Sequence, residues 1–169
     1  MSDSRLVIVD AYNVIHRAPE LRPGPGRTLR DSREKLVNLL SWAVGTGAKF
    51  IVVFDGAEGG GKDGHSGRIE IVYSRPPEKA DDVIRRLVED RVERVDRVTV
   101  VTSDLEVARH ARAMGADISI ADLFLASVLG PARQAAGEDP EKPTTLSKKE
   151  IEEWADLFRR GKSDDETVQ

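Results

Sequence analysis

Four aspartates stand at or just after the ends of apolar segments of the chain: Asp10, Asp55, Asp81 and Asp104. Carboxylates that converge in one place repel one another strongly unless cations compensate their charge. Hard oxygen ligands in a chain without cysteine favour Mg²⁺ or Mn²⁺ over zinc. Such ions polarise a phosphoryl oxygen and lower the pKa of a bound water, so that hydroxide attacks phosphorus in line. If the four acids meet, the chemistry they predict is phosphodiester hydrolysis.

The elements that would bring the acids together are short strands alternating with amphipathic helices. Runs of β-branched residues predict four strands, over residues 6–9, 50–54, 69–73 and 98–101, and a short fifth strand over 117–119. The alternating pattern of 69–73 indicates an edge strand. Apolar residues at helical spacing predict helices from Leu29 to about Gly45, from about Ala80, from 105 to 114 and from 121 to 129. This order favours a parallel sheet whose strands' carboxyl ends form the functional crevice.

Three of the four acids also have a structural interpretation. Asp81 and Asp104 fall in or beside the first turns of predicted helices, where a carboxylate interacts well with the helix dipole. For the second of these helices, Ser103 is a plausible capping residue. Asp55 precedes a glycine and could start a turn. Asp10 follows a buried strand directly, and no comparable structural role suggests itself.

Two neighbouring acids open the helix after the third strand, and helical geometry separates them. Asp81 lies about 90° from the middle of the apolar stripe, while Asp82 lies further round toward solvent. We therefore expect Asp81, and not Asp82, to lean over the edge of the sheet.

The composition fits one compact α/β domain, since the chain has 169 residues of which 39% are hydrophobic. A net charge of −4 argues against a protein that coats nucleic acid by positive charge alone. It leaves room for a nuclease with separate acidic and basic patches. The absence of cysteine excludes a disulfide framework and a cysteine nucleophile. Without a signal-peptide pattern or an apolar run long enough to cross a membrane, we expect a soluble cytoplasmic protein with no membrane partner.

The carboxyl-terminal part has a different organisation. We expect the main domain over residues 5–129, a linker over 130–146, a helix over 147–160 and a disordered tail over 161–169. Ser147 and Glu150 form a capping box before this helix. Its apolar stripe, which includes Trp154 and Leu157, predicts docking on the domain itself, with a partner protein as the alternative.

Four motifs together resemble the YacP-like NYN domain family of the PIN-domain superfamily. They are VIVDAYNVI at residues 7–15, VVFDG at 52–56, ADDVI at 80–84 and VTSD at 101–104. The resemblance covers about residues 5–129. It implies a Rossmann-like PIN/NYN fold, with an about five-stranded parallel sheet flanked by helices, to which the sequence adds the carboxyl-terminal helix. It also implies a Mg²⁺- or Mn²⁺-dependent endoribonuclease.

The resemblance also assigns roles to individual residues. It implies that Asp10, Asp81 and Asp104 bind metal, that Asn13 orients a metal water or a phosphate, and that Asp55 is a further acid of the metal site. The chain has Ala11 where the family pattern usually has glycine. If that position needs a positive φ, alanine would strain the turn and displace Asn13.

Basic residues near the predicted crevice are candidates for binding RNA, whether single-stranded or messenger RNA, including RNA on the ribosome. Phosphate contacts of this kind give affinity without sequence preference. The family pattern singles out Arg33, and for any single basic residue the alternative is a solvated surface charge. His65 could also donate a proton. The candidates are Arg17, Arg30, Arg33, His65, Arg75 and Lys79.

Other functions fit the residues less well. The glycine-rich stretch 56–62 lacks the Ser or Thr that follows the lysine of a P-loop, because Asp63 stands there. A haloacid-dehalogenase-type phosphatase needs a second aspartate where Tyr12 stands. A flap-type DNA nuclease would need more acids and a larger helical region. A catalytically weak RNA-binding or ribosome-associated factor remains the alternative, although concentrated negative charge would not help it to bind RNA.

Overall fold

The computed structural model describes residues 5–43, 48–56, 62–125, 149 and 152–157. The chain divides into two units, residues 1–128 and 129–169. In the second unit, residues 149 and 152–157 are helical, and Trp154 and Leu157 are buried. The expected linker, capping box and tail lie outside the described residues, and docking of the helix stays a prediction.

The first unit is built on one six-stranded sheet. Its strand order is β3-β4-β2-β1-β5-β6, and every neighbouring pair is parallel except β3 with β4. The strands are β1 (Arg5–Asp10), β2 (Ala48–Phe54), β3 (Gly64–Ser66), β4 (Ile69–Tyr73), β5 (Arg97–Val101) and β6 (Asp117–Ser119). The α/β class and all five predicted strands are confirmed.

Two details of the predicted sheet are wrong. The sheet has a sixth strand, the antiparallel β3, so it is mixed and not purely parallel. As a result β4 pairs on both sides and is not an edge strand. The three residues of β3 include no apolar side chain, so nothing in their pattern predicts a strand. Their extended conformation follows from pairing with β4, in which His65 lies opposite Glu70.

The helices follow the strands as the apolar spacing predicts, with one addition. Thr28 caps α2, because its Oγ1 accepts from the Asp31 N–H at 3.1 Å. The unpredicted helix is α1, which starts directly after Asp10. Residues 121–125 are helical too. The helices are α1 (Ala11–Arg17), α2 (Leu29–Ala43), α3 (Ala80–Arg91) and α4 (Leu105–Ala113). None of the helices in the described ranges is long and apolar enough to cross a membrane.

The order of the strands fixes where a crevice opens. From β1 the chain moves outward to β2 and β4, and it then returns across the sheet to β5 and β6 on the other side of β1. Right-handed crossovers in opposite directions put α1 and α2 on one face and α3 and α4 on the other. The contacts of α1 with α2 and of α3 with α4 agree with this arrangement. The chain therefore changes direction between β1 and β5, and a crevice lies outside their carboxyl ends.

Candidate active site

Asp10 is the last residue of β1, the central strand of the described parallel ladder. Its side chain lies among buried neighbours, and only 7% of the residue is exposed. The hydroxyl of Thr102 donates to Asp10 Oδ2 over 3.2 Å, and the backbone N–H of Asn13 also donates to this carboxylate. The strand end and the start of α1 therefore hold the carboxylate at the crevice between β1 and β5.

Two further hydrogen bonds join the loop after β5 to the end of β1. The Asp104 N–H donates to Thr102 Oγ1 at 3.0 Å, so the threonine hydroxyl links the backbone of one acid to the side chain of another. The Ser103 N–H donates to Asn13 Oδ1 at 2.6 Å. These contacts fix the separation of Asp10 and Asp104 through groups that the sequence places about ninety positions apart.

Asp104 is the N-cap of α4. Its Oδ1 accepts from the N–H groups of Glu106 and Val107, at 2.9 and 3.5 Å. The expected cap, Ser103, is wrong, because its buried hydroxyl has no partner among the described residues. Both capping bonds end on the same oxygen, which leaves Oδ2 of Asp104 outside them. The structural and the chemical interpretations of Asp104 are therefore compatible.

The two acids at the start of α3 differ as the helical wheel predicts. Asp82 is exposed, and its carboxylate accepts from the Lys79 N–H at 3.0 Å, so it caps the helix. Asp81 is half-buried and interacts electrostatically with Asp10 and Asp104. The helix thus turns one of two neighbouring carboxylates toward the crevice and the other toward solvent.

Charge repulsion among Asp10, Asp81 and Asp104 raises the proton affinity of Asp10 and of Asp81. Burial, then the charge of Asp81 and that of Asp104, raise the pKa of Asp10 to about 7, against the opposing hydrogen bonds from Thr102 and Asn13. Burial and then Asp104 raise the pKa of Asp81 as well. The three carboxylates therefore share one region of unfavourable negative charge, which a cation would relieve.

Basic residues next to Asp81 oppose this effect in part. The charges of Arg85 and Lys79 both lower the pKa of Asp81. Arg85 lies one helical turn after Asp81 and was not among the predicted site residues. The signal that could have found it is the i, i+4 spacing of opposite charges on a helix.

The donor set of the three acids suits a hard divalent cation. In the described part of the chain, no three His, Cys, Asp or Glu side chains lie close enough together to hold one ion directly. Mg²⁺ does not require three direct carboxylates, because it keeps several waters and is usually bound by one or two carboxylates. One buried and two partly buried carboxylates that repel one another thus fit Mg²⁺ or Mn²⁺ bound partly through water.

Asp55 stands one strand away from the three acids, at the end of β2. The hydroxyl of Ser74, which follows β4, lies 3.5 Å from Asp55 Oδ1 and accepts from the Gly56 N–H at 3.0 Å. Gly56 has no room for a side chain, because a Cβ there would lie 2.0 Å from the Ser74 carbonyl oxygen. The acids that raise the pKa of Asp10 are Asp81 and Asp104. A metal-binding role of Asp55 therefore stays a prediction.

The expected strain at Ala11 does not arise. Among the described residues only glycines have positive φ values. Ala11 is the first residue of α1 and is fully buried. Asn13 consequently reaches Ser103 from a regular helix, although its expected role in orienting a water or phosphate stays a prediction.

Arg17 is the last residue of α1. Its guanidinium lies 3.8 Å from the carboxylate of Asp122, and both side chains are partly exposed. Asp122 comes three residues after the end of β6, as Asp104 comes three residues after the end of β5, so it stands at the same edge of the sheet. It was not among the predicted residues, although the adjacency of strand and acid could have found it.

The other predicted RNA-binding residues are dispersed. Arg75 and Lys79 are exposed in the loop between β4 and α3, near Asp81. Arg33 on α2 lies over the ring of Tyr73, 5.7 Å from its centroid, and Arg30 is exposed on the same helix. His65 lies in β3 opposite Glu70, roughly 10 Å from the carboxyl edge of the sheet by strand geometry. Its predicted proton transfer would need a substrate that reaches this far.

Comparisons with known proteins find a matching family model, a curated relative and solved structures. The family model of the YacP-like NYN domain matches residues 7–159. The uncharacterized protein YacP of Bacillus subtilis (strain 168) is 28% identical over 102 residues, which are 59% of this chain and 60% of that protein. A crystal structure of Rae1 (YacP) from Bacillus subtilis has a TM-score of 0.62 and 26% identity, and it covers 94% of this chain and 97% of that one. A crystal structure of a mutant form of the same protein has a TM-score of 0.64 and 22% identity, and it covers 95% of this chain and 99% of that one. At this identity the likeness shows the fold alone.

Proposed function

The chain belongs to the YacP-like NYN domain family, and from this premise we propose that it is a metal-dependent endoribonuclease that cleaves RNA within the strand. The family and its PIN-like fold indicate a nuclease in general terms. The observation that carries the finer proposal is the convergence of Asp10, Asp81 and Asp104 beside the point where the sheet changes direction. The proposed site of the reaction is the crevice at this edge, where the charges of Asp81 and Asp104 raise the pKa of Asp10.

The three acids would hold Mg²⁺ or Mn²⁺, with Asp10 at the centre. When bound, the ion polarises the scissile phosphate and activates water for in-line attack at phosphorus. Thr102 keeps Asp10 in place through its hydroxyl. The carbonyl of the Asn13 side chain is held by Ser103, so its amide N–H groups are the part that can donate to a phosphate oxygen or a water.

The substrate that we propose is single-stranded or messenger RNA. Arg75 and Lys79 lie on the loop that leads to Asp81, where they would bind phosphates on either side of the cleaved bond. Such contacts neutralise the phosphate chain without reading its sequence. Arg17 would contribute once a phosphate competes with Asp122 for its guanidinium.

A catalytically weak RNA-binding factor is the second candidate, and one observation favours it. No three metal-ligating side chains in the described ranges are close enough to hold an ion directly, and Oδ1 of Asp104 already caps α4. A protein that only binds RNA would nevertheless gain nothing from three acids beside a phosphate chain. We therefore place the nuclease first.

The test is cleavage of end-labelled single-stranded and hairpin RNA in the presence of Mn²⁺, Mg²⁺ or EDTA. The full-length protein is compared with Asp10→Asn and Asp81→Asn, and the matched control is Asp82→Asn. Asp82 is adjacent in sequence and carries the same charge, but it is exposed and caps the helix. We expect internal cuts that need the metal, disappear in the first two variants and persist in the control.

The opposite results would be equally informative. If Asp82→Asn lost activity as fully as Asp81→Asn, the effect would come from total charge or helix stability and not from a site. If the unmodified protein bound RNA but cut none with either metal, the binding factor would become the better explanation.

A further inference from the structure

A cavity of about 530 Å³ lies between α2 and the carboxyl halves of β2 and β4. This volume is within the range of ligand sites, roughly 300–1,000 Å³. Its lining combines aromatic and aliphatic side chains with cations from α2, and it includes Phe54, Tyr73, Arg33 and Arg30. It does not include any of the acids Asp10, Asp81 or Asp104, so it is a different site from the proposed catalytic one.

The flat groups of this cavity are stacked on one another. The rings of Phe54 and Tyr73, paired across β2 and β4, lie 5.2 Å apart with an angle of 25°. The guanidinium of Arg33 lies over the ring of Tyr73. Aromatic rings and guanidinium planes are the surfaces on which proteins stack unpaired nucleobases. The stack thus offers a surface for a planar heterocycle.

Polar groups at the rim fit the rest of a nucleotide. Asn38 carries an amide that both donates and accepts, as the edge of a base requires. Arg30 pairs with Glu34 over 3.3 Å, but these side chains are 80% and 64% exposed. An ion pair so exposed is weak, and a phosphate can replace the Glu34 carboxylate as partner of Arg30.

The cavity is also close enough to the acids for one RNA strand to reach both. Phe54 and Tyr73 directly precede Asp55 and Ser74 at the carboxyl edge of the sheet. Tyr73 lies two strands from Asp10, which corresponds to about 10 Å across the sheet. A nucleotide held in the cavity would therefore be a near neighbour of a phosphate held at the acids.

We infer that this cavity is a subsite that holds one unpaired nucleobase of the RNA, stacked on the Tyr73 and Arg33 pair, with Arg30 on the adjoining phosphate. The inference rests on the proposed function, since it names the substrate feature that the nuclease recognises away from the cleaved bond. It makes the enzyme selective for single-stranded RNA, because a paired base cannot enter the cavity.

The test measures binding without cleavage. Fluorescence anisotropy gives the affinity of full-length Asp10→Asn protein in EDTA for a short single-stranded RNA, and for the same RNA with one abasic position moved along it. We expect that adding Tyr73→Ala weakens binding of the intact RNA about 5- to 100-fold, and that Tyr73→Phe does not. At one placement of the abasic position, the proteins with and without Tyr73→Ala should bind the RNA equally well, because no base is present to stack on Tyr73.

Exposed variants keep the test valid if Tyr73→Ala is unstable. Arg30→Gln and Asn38→Ala change exposed side chains of α2 and should each weaken binding several-fold. Arg109→Gln, on the exposed side of α4, is the matched control for lost positive charge and should have a smaller effect. Equal losses for Arg30→Gln and Arg109→Gln, together with an unchanged Asn38→Ala, would contradict the inference.

The experiments distinguish a failure of this inference from a failure of the proposed function. If the protein cleaves RNA but Tyr73→Ala binds as its parent does, or loses the same factor with every abasic RNA, only the base-binding cavity is refuted. If the parent binds no RNA and the unmodified protein cleaves none, both proposals fail together.

Discussion

We expect that replacing Asp10 by asparagine makes the metal-free protein more stable at neutral pH. The pKa of Asp10 is raised from 3.8 to about 7, chiefly by burial and then by the charges of Asp81 and Asp104. A folded-state pKa above the unfolded value means that the folded protein binds the proton more tightly. The free energy of unfolding therefore falls as pH rises from about 4 to about 7. Outside that window the titration of Asp10 changes it little.

The size of the effect follows from the shift. Three pKa units correspond to about 4 kcal/mol at 1.36 kcal/mol per unit, so ionised Asp10 destabilises the fold by about this amount at pH 7 and above. Asparagine removes the charge, but it can no longer accept from both Thr102 and Asn13 with carboxylate oxygens, which costs about 1 kcal/mol or more. We expect a net gain of about 2 to 3 kcal/mol at pH 7.5.

The assay is urea unfolding in EDTA at several pH values between 4.5 and 8, for the unmodified protein and for Asp10→Asn. The gain should be largest at the highest pH and should turn into a loss of about 1 kcal/mol as the pH approaches 4, where only the cost of the hydrogen bonds remains. Asp82→Asn is the control, because its exposed carboxylate should show no comparable gain. A mutant that is less stable than the parent at every pH, or a gain that does not change with pH, would refute the reasoning.

Four further perturbations test neighbouring parts of the site. Mn²⁺ at 100 times its dissociation constant should stabilise the protein by about 2.7 kcal/mol in thermal unfolding; Asp81→Asn should reduce this and Asp82→Asn should not. Gly56→Ala should cost about 1–3 kcal/mol in urea unfolding, because the new Cβ would overlap the carbonyl oxygen of the neighbouring strand end; an unchanged midpoint would contradict the close approach. Thr102→Val should slow cleavage and destabilise the protein by about 1–3 kcal/mol because Asp10 loses its donor, while Thr102→Ser should restore both, and equal defects in the two would argue against the hydroxyl. Arg33→Glu should weaken RNA binding and flatten its dependence on salt by about 1 to 2 units of slope; an unchanged slope would remove Arg33 from the interface.

The sequence predicted the acidic cluster because adjacency of a strand and an acid is a local property. Asp10 and Asp104 follow β-branched runs that form neighbouring parallel strands, and parallel strands end at one edge. The distinction between Asp81 and Asp82 was also local, since it follows from helical periodicity alone. The strands and helices concerned are buried on one or both faces, so their apolar residues recur at a regular spacing that is easy to detect in the sequence.

The parts that the sequence did not predict depend on contacts between distant positions. Thr102 bonds to a carboxylate 92 positions away, and no local pattern distinguishes it from any threonine after a strand. β3 exists because β4 offers it hydrogen bonds, and its own residues have no strand pattern. The stack of Arg33 on Tyr73 joins α2 to β4 across the sheet. The sequence showed a basic and an aromatic residue, but not that they share a cavity.

The position of Asp10 explains how one carboxylate can be both buried and accessible to a phosphate. On either side of β1 the chain crosses to opposite faces of the sheet, which opens a crevice at the carboxyl ends of β1 and β5. Burial among the neighbouring elements raises the pKa of Asp10, while 7% of the residue stays exposed. A cation entering there would meet uncompensated charge in a region of low dielectric constant, where attraction is strong. The instability expected from ionised Asp10 is thus the same free energy that would favour binding of the metal.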